Sequence, residues 1–153
     1  MFLQIAIFFL HAYWACCPLE IQQSTAEVGT IALSIDNIRS GQGNVHIAIY
    51  DKEKHFAESL EPFRLQVQEA PTDGKLVLKL DDLPFGRYAM AIYHDENGNG
   101  DLDKNLFGIP KEPYGFSNNP RAKWSAPTYQ ETSFELGASP LSLTVSLKKW
   151  KER

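Results

Sequence analysis

Apolar and polar residues alternate in several short segments of this chain. Between residues 30 and 36, Ile31, Leu33 and Ile35 alternate with small or polar side chains. A period of two is typical of a β-strand with one face on the core and the other in water. The same pattern predicts strands at residues 30–36, 45–50, 63–69, 75–83, 87–94, 132–136 and 141–147.

Turn-forming residues separate these predicted strands. Residues 40–44, between the first two strands, are rich in Gly, Ser and Asn and predict a β-hairpin. Residues 51–62 contain Phe56 and Leu60 four apart, which predicts at most one helical turn. No segment keeps a helical period, so we predict an all-β fold. The fold class is an antiparallel β-sandwich of about seven strands with one long loop.

The long loop covers residues 95–130, where periodicity is lost and Gly, Pro and Asn are frequent. Loops longer than about 12–15 residues inside a compact domain are usually functional or disordered. This one contains the aromatic residues Phe107, Tyr114, Phe116, Trp124 and Tyr129, which favours an ordered loop. We therefore expect the functional site of the protein to lie in it.

An acidic stretch, HDENGNGDLDKN at residues 94–105, opens this loop. Counted from Asp95 as position 1, its first six residues fit the calcium-loop pattern D-x-[DN]-x-[DN]-G. Ca²⁺ prefers six to eight oxygen ligands, which alternate Asp and Asn side chains supply. Position 12 is Leu106 where a bidentate Glu is expected, so Glu112 is the candidate for the missing carboxylate. The predicted Ca²⁺ ligands are Asp95, Asn97, Asn99, Asp101, Asp103 and Glu112.

A metal-free turn is the alternative interpretation of the acidic stretch. Asn-Gly pairs at residues 97–100 form turns unaided, and Asp and Asn cap turns without any metal. Against this, Asp95, Glu96, Asp101 and Asp103 crowd four negative charges together, and a cation would offset their repulsion. The spacing does not distinguish Ca²⁺ from Mg²⁺ or Mn²⁺. Zinc is not favoured, because no Cys lies near and the His residues are scattered.

The first residues of the chain differ from the rest. Residues 1–17 contain no Asp, Glu, Lys or Arg, and this apolar run is shorter than the roughly 20 residues that span a bilayer. We predict a signal or lipoprotein-type export segment, although a basic start is missing and a buried helix is the alternative. Cys16 and Cys17 at its end are candidate lipidation sites. Residues 18–29 are a predicted linker, and residues 30–149 are the predicted β-sandwich domain.

Three stretches resemble a known bacterial family, domain of unknown function 2141. They are NVHIAIYD at residues 44–51, LPFGRYAMAIYHDENGNG at 83–100, and the continuation through KEPYGFSNN to residue 119. Pro113 stands where members of this family typically have Gly, so the loop is expected to bend differently there. The resemblance implies an exported β-sandwich of the transthyretin or carboxypeptidase-regulatory kind. It implies no established activity, substrate or partner.

The net charge and the sequence motifs argue against two classes of function, nucleic-acid binding and catalysis. The net charge of −4 argues against nucleic acid, because phosphate binding needs a basic face. Nucleophile and phosphate-binding motifs are absent, so we predict no catalysis. Membrane contact is expected only through a lipid anchor, which places the protein in the periplasm, on the outer membrane or outside the cell.

A binding module is the leading functional prediction. The stretch YGFSNN puts aromatic rings beside amides, which suits carbohydrate or another cell-surface protein as partner. The predicted ligand-binding residues are Tyr114, Phe116, Asn118 and Asn119. Two alternatives stay open, a metal-dependent hydrolase that uses the acidic loop and a metal-free structural spacer. Exposed rings would favour ligand recognition, whereas rings folded back onto the sandwich would favour a structural role.

Overall fold

Two β-sheets, connected by short turns and one long loop, form the molecule. The computed structural model describes residues 27–39, 41–121 and 125–150. Its elements in chain order are β1 (Val28–Asp36), β2 (Asn44–Tyr50), α1 (Glu53–Ala57), β3 (Arg64–Glu69), β4 (Lys75–Pro84), β5 (Gly86–Asp95), β6 (Tyr114–Phe116), α2 (Tyr129–Thr132), β7 (Phe134–Leu136) and β8 (Leu141–Ser146).

The strands are arranged as a sandwich. One sheet has the order β4-β1-β8, and the other has the order β3-β2-β5-β6, with β7 pairing to the start of β5. The predicted all-β sandwich is therefore confirmed. All pairs are antiparallel except β1 with β8, which run parallel, so the sandwich is not wholly antiparallel.

The core lies between the two sheets and uses the apolar faces that the sequence pattern predicts. Ile31, Leu33 and Ile35 of β1 are fully buried. Burying such a side chain stabilises the fold by about 1.5–3 kcal/mol. Other wholly or almost wholly buried residues of this core include Val45, Ile47, Ile49, Leu80, Leu83, Met90, Ile92, Val145 and Leu147.

The predicted β1–β2 hairpin is wrong. β1 pairs with β4 and β8, whereas β2 pairs with β3 and β5 in the opposite sheet. The turn between them carries the chain from one sheet to the other, so the two apolar faces meet across the core. Alternation along a strand reports which face is apolar, and it does not report which strand is the neighbour.

The predicted inward face of β3 is also wrong. Leu65 and Val67 are 56% and 45% exposed, although they alternate as core residues would. Leu65 pairs with Ala48, and Val67 pairs with His46. Both partners lie on the outer face of β2, so Leu65 and Val67 point away from the core. Arg64, from the polar face of the strand, donates from its Nη1 to the carbonyl oxygen of Asp81 in β4 at 2.7 Å.

The long loop contains two elements that periodicity did not predict. β6 is three residues long and adds to the edge of β5. α2 begins after Thr128, whose side chain accepts from the backbone N–H of Glu131, while the Glu131 side chain accepts from the N–H of Thr128. This capping box is visible in the sequence as Thr-x-x-Glu.

The domain begins slightly earlier than predicted, because β1 starts at Val28, within the predicted linker. The predicted export segment with Cys16 and Cys17, and residues 18–26 of that linker, lie outside the described residues. Among the residues that are described, no helix is long and apolar enough to cross a membrane.

Candidate functional site

Asp95, the last residue of β5, organises the start of the acidic loop. Its side chain is fully buried, and its Oδ1 accepts from the N–H groups of Gly98 at 2.7 Å and Asn99 at 3.2 Å. Its Oδ2 accepts from the N–H of Gly100 at 2.8 Å. Burial acts to raise the pKa of Asp95, but these three donors and nearby His46 outweigh it and hold the pKa below its usual range.

The two asparagines of the stretch complete the turn. Asn97 accepts from the N–H of Asn99 through its Oδ1 at 3.0 Å, and Asn99 accepts in the same way from Asp101 at 2.8 Å. Their Nδ2 groups both donate to the Asp103 carboxylate, at 2.9 Å from Asn97 and 3.2 Å from Asn99. Amide donors therefore offset the Asp103 charge.

Glu112 closes the base of the loop. It is buried, and its two carboxylate oxygens accept from the N–H groups of Glu96 at 2.8 Å and Asp103 at 3.0 Å. It thus folds back to the acidic stretch, as the sequence suggested for the missing carboxylate. The Nζ of Lys149 adds an ion pair to the Glu96 carboxylate at 2.9 Å.

The predicted Ca²⁺ ligands are therefore neighbours, but the loop is ordered by its own hydrogen bonds. Five of the six accept N–H or amide donors from within the loop, and only Asp101 keeps an exposed side chain with no such bond. Within residues 27–39, 41–121 and 125–150, no group of three or more His, Cys, Asp or Glu side chains converges as a metal centre would. Ca²⁺ would share or replace these bonds, and its binding stays a prediction.

A stacked pair of rings packs the acidic loop against the sheet. His46 of β2 stacks on Tyr93 of β5, with ring centroids 4.6 Å apart, and its Nε2 lies 3.6 Å from the Asp95 carboxylate. Tyr93 donates from its hydroxyl to the carbonyl oxygen of Gly100 at 2.7 Å. Burial raises the pKa of Tyr93 to about 12, with a further contribution from carboxylates nearby. Periodicity places these two rings on outward faces but gives no sign that they are neighbours.

Most side chains of the predicted ligand-binding segment pack or form hydrogen bonds within the domain. Tyr114 is buried in β6, and Phe116 is half-buried. Asn118 donates to the carbonyl oxygen of Ser133 at 2.8 Å. Asn119 donates to the carbonyl oxygen of Thr144 at 2.7 Å and accepts from the N–H of Ser146. Both amides are engaged with backbone, so only the rings are placed to contact a ligand.

The rings of this segment border a groove of about 850 Å³ on the outer face of the five-stranded sheet. Its floor contains Ala48 of β2 and Ala91 of β5, which pair directly with each other. In the same row, Phe116 of β6 pairs with Ala91. The small side chains of Ala48 and Ala91, next to the larger ring of Phe116, leave a depression across the strands. Among the described residues, the aromatic ones that line this groove are Tyr50, Phe56, Tyr93, Phe107, Tyr114, Phe116, Tyr129 and Trp150.

Four of these rings are partly or largely accessible. Tyr93, Phe116 and Trp150 are half-buried, and Phe107 is 87% exposed. Phe107 lies in a tight turn in which Asn105 accepts from the N–H groups of Phe107 and Ile109, at 2.9 Å and 3.0 Å. The hydrogen bonds of this turn therefore fix the backbone that carries the solvent-exposed Phe107 ring.

Ser117, His94 and Asp95 are not hydrogen-bonded to one another as the members of a catalytic triad would be. The ring of His94 is fully buried and its Nε2 bonds to the carbonyl oxygen of Gln42 at 2.9 Å. The Ser117 hydroxyl is buried, where it donates to the Thr132 carbonyl oxygen and accepts from the N–H of Met90. Each group serves the packing of the sandwich.

The fold and this site define a small β-sandwich with a self-capped acidic loop and an aromatic groove on one outer face. A family model, described as an uncharacterized protein conserved in bacteria (DUF2141), matches residues 33–144. The chain belongs to this family, as the resemblance in its sequence indicated. No curated protein and no solved structure matches it.

Proposed function

We propose that the protein is an exported, non-catalytic binding module that holds a carbohydrate in the groove. The observation that supports this is the set of accessible rings around an alanine floor. Aromatic faces stack on the apolar faces of sugar rings, and such sites are concave with few polar groups.

The acidic loop forms one side of this site. Tyr93 joins the loop to the groove, because its ring lines the groove while its hydroxyl bonds to Gly100. Movement of the loop would therefore move a ring that contacts the ligand. The loop acts as a positioning element, whereas Phe107, Phe116 and Trp150 supply further contact area.

Ca²⁺ binding by the loop is part of the proposal. It is supported by the gathering of the predicted ligands around one turn. Rotating the side-chain amide of Asn97 or Asn99 would present an oxygen beside the Asp103 carboxylate, where its nitrogen now donates. Export is supported by the uncharged apolar segment at residues 1–17, and Ca²⁺ is abundant outside the cytoplasm.

The proposal is tested by carbohydrate binding to the wild type and to a variant with a larger side chain on the groove floor. Binding of the full chain to an array of neutral and acidic oligosaccharides is measured first, and the best binder is then titrated by calorimetry. Ala48→Leu puts a larger side chain into the groove rather than into the core, so the fold is retained while affinity falls at least about tenfold.

Ala32→Leu is the matched control, because Ala32 is an exposed alanine on the outer face of the other sheet. It is expected to leave affinity unchanged. An array without any binder, or equal affinities of Ala48→Leu and the wild type, would rule out carbohydrate binding in the groove. A metal-free spacer would then be the better account.

A further inference from the structure

The charge of the groove differs from that of the whole chain. The chain carries 19 acidic and 15 basic residues, yet the charged residues that line the groove in the part of the chain that the structure describes are Lys104, Arg121 and Glu53. Glu53 accepts from the Nε2 of Gln130 at 3.1 Å, so part of its hydrogen-bonding capacity is already used. The groove therefore presents two cations against one engaged carboxylate.

Both cations are available to a ligand. Lys104 and Arg121 are exposed, and among the described residues neither makes an ion pair or a side-chain hydrogen bond. The backbone around Lys104 is ordered, because Lys104 forms an antiparallel bridge with Pro110. Asp103, its neighbour in sequence, directs its carboxylate to Asn97 and Asn99. The nearest acidic side chain along the chain is thus occupied elsewhere.

We propose that the carbohydrate bound in the groove is acidic, with carboxylate or sulfate groups that pair with Lys104 and Arg121. This inference rests on the proposed function, which supplies the rings for the sugar faces. Arg presents a planar fork that matches a carboxylate or sulfate, and Lys presents a point charge. A neutral oligosaccharide offers these two cations only hydroxyl and ring oxygens, which accept weaker hydrogen bonds than a carboxylate or sulfate does. An acidic one would exchange water at both of them for charge-assisted hydrogen bonds.

The test compares matched acidic and neutral sugars on the full chain. The probes are oligogalacturonide, its methyl ester and a sulfated oligosaccharide of equal length, together with the array used above. We expect an acidic member to bind about tenfold more tightly than its neutral counterpart at low salt, and this preference to shrink as salt is raised.

Two variants test whether the preference for acidic sugars depends on the cations of the groove. Lys104→Gln combined with Arg121→Gln should remove the preference, so that the acidic sugar binds no more tightly than its neutral counterpart. Lys54→Gln is the control, because Lys54 is an exposed lysine that does not line the groove. It should keep the preference.

The outcomes separate the two proposals. If neutral and acidic sugars bind equally, or if the double variant keeps its preference, the groove binds carbohydrate but the charge inference is overturned. If no sugar on the array binds, both proposals are overturned together. If Ala48→Leu lowers the affinity for the acidic sugar at least about tenfold and the double variant loses the preference, both proposals are supported.

Discussion

Individual residues determine the shape of the acidic loop. Asp95 and Glu112 are buried carboxylates whose oxygens accept backbone N–H groups. Removing one acceptor from such a site leaves a buried donor unsatisfied, which costs about 1–3 kcal/mol. Single substitutions can therefore report whether hydrogen bonds, rather than packing alone, hold the loop.

Asp95→Asn should lower the free energy of unfolding by about 2 kcal/mol. The new amide nitrogen cannot accept, so it faces the N–H donors of Gly98, Asn99 or Gly100 without bonding them. Asp101→Asn, at an exposed position, should change stability by less than about 0.5 kcal/mol. Urea unfolding of both variants checks this, and equal losses would show that Asp95 is not the acceptor that holds the turn.

The Asp95 carboxylate makes the free energy of unfolding depend on pH. Because the folded pKa of Asp95 is lowered, its contribution is fully present above the unfolded pKa of about 3.9. It is lost as the pH falls through the lower, folded pKa. The free energy of unfolding of the wild type should therefore decline below about pH 4, and more steeply than that of Asp95→Asn. Parallel curves for the two proteins would contradict the assignment.

Gly43 permits the close approach of the first turn to the end of β5. Its φ is +76°, and a Cβ at this position would lie 1.9 Å from the carbonyl oxygen of Asp95. Gly43→Ala should cost at least about 3 kcal/mol, from backbone strain and the clash together. Gly98→Ala has a similar φ of +74° and open space, so it should cost only about 1 kcal/mol. Similar losses in thermal unfolding would show that strain alone matters.

At the scale of elements, two features depart from simple alternation. β3 turns its apolar face outward at the edge of the sheet, and the long loop folds around its own carboxylates. Both follow from contacts with neighbouring elements. Their energetic consequences are measurable one element at a time.

Leu65→Thr should change the free energy of unfolding by less than about 0.5 kcal/mol, because Leu65 is 56% exposed. Ile47→Thr, on the neighbouring strand but fully buried, should cost about 2–4 kcal/mol through lost packing and a buried hydroxyl. The pair is compared by urea unfolding. A large loss at Leu65 would mean that this face is covered in the folded protein.

The acidic loop is the element at which Ca²⁺ should act. We expect millimolar Ca²⁺ to raise the thermal midpoint of the full chain by several degrees relative to chelator, since binding to the folded state alone stabilises it. The rise should be lost in Asp103→Asn, because Asp103 is where both Asn side chains converge. No shift up to millimolar Ca²⁺ would leave the loop as a self-capped turn.

At the scale of the whole molecule, the two sheets share one core. Ile31 of one sheet and Ile47 of the other belong to the same buried cluster. The backbones of Tyr114 and Lys148 also bond to each other, which joins the five-stranded sheet to the segment after β8. Neither sheet can expose its inner face without exposing that of the other.

Unfolding should therefore be a single transition. Far-UV circular dichroism, which reports strands, and intrinsic fluorescence, to which Trp150 and several tyrosines of the groove contribute, should give coincident urea curves. A fluorescence change at lower urea than the loss of strand signal would contradict a single transition.

The local properties of this protein follow from residues that are neighbours along the chain. Alternation identified strands to within a few residues, because which face of a strand is apolar is a property of neighbouring residues. The acidic stretch indicated that Asp95, Asn97, Asn99 and Asp103 lie close together, since they are near one another in sequence, and hydrogen bonds link them. Their binding of Ca²⁺ stays a prediction.

The position of the groove follows from which strands are neighbours in the folded protein. Ala48, Ala91 and Phe116 are far apart in sequence and meet only through strand pairing. The outward face of β3 and the failure of the predicted hairpin have the same origin. Register and pairing depend on contacts between distant segments, which a pattern with a period of two does not encode.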